Sequence, residues 1–112
     1  MKYDRRRAPR IDVNLPTTWE GVFERVSAEV TSLSRTGVFV LSGGRVSAKE
    51  LVRLEIQLPY EDEPVCIWGE VVEEAYEIGF AAKFTTPLED DSADPDEQRL
   101  IRFIDRALAQ QR

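Results

Sequence analysis

Apolar and polar residues alternate with a period of two over most of this chain, and a helical period replaces that pattern only near its C-terminus. Ile11, Val13, Leu15, Thr17 and Trp19 alternate with Asp12, Asn14, Pro16 and Thr18, which predicts a strand with one buried face. Pro16 has no N–H to give to a ladder, so it assigns that strand to an edge or a bulge. Glu20-Gly21 predicts a turn into a second strand running from Val22-Phe23 to about Ser32, with Val26, Ala28 and Val30 on its buried face. Ser34 and Gly37 bracket Arg35-Thr36, so the chain turns there, and Gly37 can supply the positive φ that such turns often require. Val38-Phe39-Val40-Leu41 reads as a more deeply buried strand. Ser42-Gly43-Gly44 reads as a flexible loop and Val46 to Glu50 as a short helical turn.

Leu54, Ile56 and Leu58 mark a further amphipathic strand, and Pro59 to Pro64 an exposed, acidic hairpin-type loop. In the strand from Val65 to Val72, Val65, Ile67, Gly69 and Val71 share one face and Cys66, Trp68, Glu70 and Val72 the other; Gly69 marks a bend or the close approach of another group. Tyr76, Ile78, Phe80, Ala82 and Phe84 give the most regular alternation in the sequence. After an acidic linker from Thr85 to Ala93, Asp94-Pro95-Asp96-Glu97 announces a helix: Asp94 can cap it, Pro95 suits its first position, and Glu97 stands where a capping-box acid belongs. Leu100, Ile101, Ile104, Ala107 and Leu108 then form an apolar stripe with Phe103 beside it. The pattern as a whole predicts a mainly β protein, a six-stranded antiparallel β-barrel with a C-terminal α-helix over residues 94–110. Residues 1–10 read as a flexible basic N-terminal arm and residues 11–112 as one barrel domain.

Composition and charge narrow the function. The 112 residues are 42% hydrophobic and 32% charged, as expected of a globular domain. No apolar run reaches the ~18–20 residues of a membrane span, and a charged N-terminus predicts a cytoplasmic chain without membrane insertion. The net charge of −6 is uneven: five basic residues (Lys2, Arg5, Arg6, Arg7, Arg10) against Asp4 give the arm +4, and ten against twenty give the rest −10. An acidic body argues against nucleic acid as a partner; a basic arm on it suits a small anion or an acidic patch on a protein. With no histidine and a single cysteine, Cys66, the chain lacks the residues of ordinary zinc sites and of Cys–His catalysis. No phosphate-loop signature is present, and the pairs Glu61/Glu63 and Glu73/Glu74 read as surface charge. These absences predict no enzyme, no metal and no cofactor.

Two segments, Arg6-Arg7-Ala8-Pro9-Arg10 and Ser32-Leu33-Ser34-Arg35-Thr36-Gly37, resemble the signatures of the bacterial PilZ domain family: an Arg-x-x-x-Arg spacing at Arg6 and Arg10, and an Asp/Asn-x-Ser-x-x-Gly pattern at Ser34 and Gly37. Trp68-Gly69-Glu70-Val71-Val72 and Ile78-Gly79-Phe80-Ala81-Ala82-Lys83-Phe84 are similar to its later strands. The resemblance implies a PilZ-like barrel that binds the second messenger cyclic di-GMP and signals to an unidentified partner protein as the arginine arm closes. Carried over by position, Arg6 and Arg10 grip guanines and phosphates, Ser34 meets the polar edge of the ligand, and Gly37 keeps the turn tight. Arg5 and Arg7 are further contacts, and Trp68 offers either a stacking face or barrel packing. Ser32 occupies the Asp/Asn position, where a longer side chain would reach guanine; loss of that bond costs about 1–3 kcal/mol. The alternative is a degenerate PilZ-like interaction module that binds no nucleotide.

Overall fold

The computed structural model describes residues 8–111. Six strands are present: β1 (Ile11–Glu20), β2 (Arg25–Leu33), β3 (Gly37–Leu41), β4 (Leu51–Ile56), β5 (Val65–Ala75) and β6 (Gly79–Phe84). All pair antiparallel in the order β1-β2-β3-β6-β5-β4, and β4 returns to β1 to close a barrel. Closure removes the free edges that an open sheet would expose. Pro16 is accommodated at the margin of the β1–β4 ladder, which starts at Thr17. Its carbonyl accepts from the Gln57 N–H at 2.9 Å, so its missing N–H also lies on that side and no rung with β2 is lost.

The alternation predicted for β1 and β5 is observed: Ile11, Leu15, Thr17 and Trp19 point inward from one, Val65, Ile67, Gly69 and Val71 from the other. Trp19 is fully buried, donates its indole N–H to Ser42 Oγ at 2.8 Å, and meets Phe80 edge to face at 5.3 Å between ring centroids. The helix α1 (Pro95–Gln110) packs on β5 and β1, and Leu100, Ile101 and Ile104 join the barrel's own buried cluster. Asp94 caps it, accepting from the Asp96 N–H at 2.9 Å. Glu97 acts one step removed from a capping box: its carboxylate accepts from Ser92 Oγ at 2.6 Å, and that oxygen accepts from the Asp94 N–H at 3.1 Å. Arg99 fixes the start of α1 to the β4–β5 loop through the Glu61 carboxylate and the Glu63 carbonyl. The Cys66 N–H donates to Asp96 from the start of β5; burial pushes the Cys66 thiol pKa up.

Three local expectations are corrected. The second strand starts at Arg25, because Gly21 N–H to Glu24 O closes a turn that leaves Val22 and Phe23 exposed. Residues 46–50 form no helical turn; the Glu50 N–H bonds the Ser47 carbonyl at 3.0 Å in a β-turn with Lys49 at φ 72°. The last strand starts at Gly79, not Tyr76. Its partner β5 runs on to Ala75, which pairs with Gly79, so Tyr76–Ile78 must form the hairpin turn, with Glu77 at φ 62°. The acidic linker between β6 and α1 carries a buried residue that its polar neighbours conceal, Leu88.

Trp19 is the largest fully buried side chain and satisfies its one donor at Ser42. Trp19→Ala is expected to lower the unfolding free energy by about 3–5 kcal/mol in urea titration, through the cavity left behind. A loss below about 1 kcal/mol would contradict this packing.

Candidate functional site

The connection between β2 and β3 is held by a set of hydrogen bonds from both sides. The Ser34 N–H donates to the Gly37 carbonyl at 3.0 Å, leaving Arg35 and Thr36 as the turn between them. Ser34 is fully buried, and its Oγ accepts from the Thr36 N–H at 3.2 Å while sharing a hydrogen bond with Thr36 Oγ1 at 3.1 Å. The Phe84 N–H reaches the Thr36 carbonyl at 2.9 Å and the Leu88 N–H the Arg35 carbonyl at 3.0 Å, so β6 and the following linker hold the turn from outside.

Gly37 does not adopt a positive φ, contrary to the expectation for this turn. The need for glycine is spatial: a Cβ there would lie 2.4 Å from the backbone oxygen of Ala82 in β6. Gly69, flagged by its place within a strand, likewise faces a close neighbour, with Ala82 Cβ 3.2 Å from where its own Cβ would be.

A bulge in β2 aims the serines. Val30 pairs with Val40, but Ser32 pairs with Phe39, so one extra residue of β2 is absorbed around Thr31. Continued alternation from Val26, Ala28 and Val30 would turn Ser32 inward and Leu33 outward. The slip reverses both: Leu33 is fully buried opposite Val38, and Ser32 stands on the outer face beside Phe39. A second bulge, in β5 between Val71 and Glu73, leaves two successive residues exposed: Val72 faces outward as the alternation predicts, and the slip turns Glu73 outward as well.

Arg10 lies over these hydroxyls. Its Nε donates to Ser32 Oγ at 2.8 Å, and its Nη1 reaches Ser34 Oγ at 3.5 Å, the long limit of a hydrogen bond. Ala8 is buried, so the chain already packs against the barrel just before Arg10. The neighbouring guanidinium Arg35 is engaged elsewhere, 2.9 Å from Asp90 and 2.9 Å from Asp105 on α1. Partial burial works against its charge, but the hydrogen bonds with Asp105 and Asp90 prevail and hold its pKa above the ordinary arginine value.

A cleft of about 410 Å³ opens beneath Arg10. Phe39, Val72 and Ala81 supply an apolar floor; Arg10, Ser32, Thr36 and Lys83 supply polar groups around it. A flat apolar floor beside a guanidinium, an ammonium and hydroxyls suits a ligand with an aromatic base and an anionic group.

Of the residues expected from sequence, the structure brings together Arg10, Ser32, Ser34 and Gly37. Arg5, Arg6 and Arg7 lie outside the described residues. Trp68 faces outward, 48% exposed, but does not line the cleft; it pairs with Arg53 on the neighbouring strand. The barrel-packing tryptophan is Trp19. Thr36, Phe39, Val72 and Lys83 were not singled out by the motifs. For Lys83 a signal existed, since it is the one basic residue on an otherwise apolar and small strand. Among the described residues, no cluster of three or more His, Cys, Asp and Glu is placed to hold a metal ion.

A family model described as PilZ domain matches residues 4–106. Among solved structures, the chain is similar to one titled Bacillus subtilis Inhibitor of motility (MotI/DgrA), with a TM-score of 0.73 and 22% sequence identity. The match covers 98% of this chain and 54% of that chain, so this chain spans about half the length of that protein, and the likeness is one of fold. No curated protein sequence matches.

The Gly37 contact makes a direct prediction. Gly37→Ala must push β3 off the Ala82 carbonyl, and a loss of about 1–3 kcal/mol of stability is expected in urea titration. An unchanged midpoint would show that the turn does not depend on that approach.

Proposed function

This chain belongs to the PilZ domain family, and we propose that it is a non-catalytic receptor for cyclic di-GMP that signals to a partner protein. The observation that carries this reading is the Arg10 guanidinium, held by the Ser32 and Ser34 hydroxyls at the mouth of a cleft with an apolar floor. A guanidinium offers paired donors to guanine O6 and N7 or to a phosphate, and it stacks on a base face. Phe39 and Val72 give a purine an apolar surface to lie on. Ser34 positions the site more than it contacts the ligand: buried and bonded to Thr36, it holds the turn and the inner edge of the cleft. Arg6, four residues upstream of Arg10, closes from the arm onto the same ligand, with Arg5 and Arg7 as further contacts. Closure of that arm on the ligand makes a new surface for the partner to read.

Ser32 favours a second reading. It stands at the family's Asp/Asn position, and its oxygen already accepts from Arg10. On that reading the serine replaces the guanine-binding side chain with a latch for the arginine, and the chain acts through protein contacts alone. The geometry supports the receptor reading better, because Arg10 retains donors beyond those facing the serines.

The variants Arg6→Ala and Arg10→Ala separate the two. Each is expected to weaken cyclic di-GMP binding at least about tenfold in calorimetric titration, the loss of charge-assisted hydrogen bonds. Their thermal unfolding should match the native chain. Affinity unchanged in both variants would remove the receptor reading, and so would a native chain that binds no cyclic di-GMP.

A further inference from the structure

A second cleft, about 540 Å³, adjoins the first. It is lined by Phe84, Thr85, Pro87, Leu88 and the acidic Glu89 at the end of β6 and the start of the linker, with Arg35 at its side. Among the described residues, Thr36 and Lys83 alone line both clefts, so they form the ridge between them. In the barrel register Lys83 lies opposite Gly37 on β3, where no side chain stands in its way, and opposite Glu70 on β5. The ion pairs among the described residues do not include Lys83, whose side chain is exposed.

The structure assigns Lys83 as the phosphate-binding cation of the ligand site, standing between two recesses that each receive one base. The assignment rests on reading the Arg10 cleft as a cyclic di-GMP site and extends it. Cyclic di-GMP carries two guanines on either side of a ring that holds two phosphodiesters, so its charge is central and its flat apolar parts are peripheral. The two clefts have the same order: apolar floor, ammonium ridge, apolar recess. The two cations divide the work by shape. Arg10 presents a planar fork at the edge of one recess, suited to a base edge or a base face. Lys83 presents a compact point charge on a flexible stem, suited to phosphate oxygens that move as the ring settles. Thr36 adds its hydroxyl on the same ridge.

Three proteins test this in one calorimetric series with cyclic di-GMP: the native full chain, Lys83→Met and Lys83→Arg. Methionine keeps the stem and removes the charge, and it sits on the exposed face, so thermal unfolding of the free protein should not move. Lys83→Met is expected to weaken binding about tenfold or more, the loss of one charged contact. Lys83→Arg is expected to restore most of it. If the native chain binds and Lys83→Met binds equally well, Lys83 is not a ligand residue. If both variants lose affinity alike, side-chain shape and not charge is needed, which also overturns the assignment. If the native chain itself does not bind, the cyclic di-GMP reading falls and the role of Lys83 with it.

Discussion

One register slip in β2 sets both the core and the site. Between Val30 and Ser32 the strand absorbs an extra residue against β3, and every side chain after it changes face. Leu33 enters the barrel as a fully buried residue, and Ser32 leaves it to meet Arg10. Ser34 follows as the last residue before the turn, buried, with its hydroxyl answering the Thr36 backbone. Gly37 then lets β3 lie against the Ala82 carbonyl, and β6 and its linker bond back onto the turn. The cleft is thus a consequence of how the barrel closes. Its polar rim consists of groups that the same strands turn outward.

Charge reinforces that arrangement. The chain as a whole is acidic, and a small anion would be repelled over most of its surface. Arg35, within the motif turn, is taken up by Asp90 and Asp105 and ties the turn to α1. Arg10 and Lys83 line the cleft instead, and their local field sets the site apart from the acidic body. The same Arg35 bridge means that the loop carrying Ser34 and Thr36 is braced by the helix. A partner that contacts α1 would therefore touch an element joined to the site by a direct ion pair.

Much of this fold was legible in the sequence because its strands are buried on one face only. The alternation in β1 and β5 survives intact, and Pro95 with Asp94 marks the helix start. Alternation misleads where it crosses a hairpin: Tyr76 and Ile78 continue the period of β6 but lie in the turn that the length of β5 imposes. It is silent where a bulge intervenes, so the outward direction of Ser32 could not be read from residue types. The motifs pointed to Arg10, Ser32, Ser34 and Gly37, which do converge, yet the reason for Gly37 was wrong. The residue is required by a neighbouring carbonyl and not by a left-handed backbone. Phe39 and Lys83 belong to the cleft through cross-strand pairing, a relation that a linear pattern does not carry.

The most direct measurement is a backbone amide NMR titration of the native chain with cyclic di-GMP. The account predicts saturable shifts concentrated at Arg10, Ser32 to Gly37, Phe39 and Lys83, with the β1–β2 turn around Val22 and Phe23 at the far end of the barrel unmoved. No saturable shifts, or shifts centred on that far end, would contradict it.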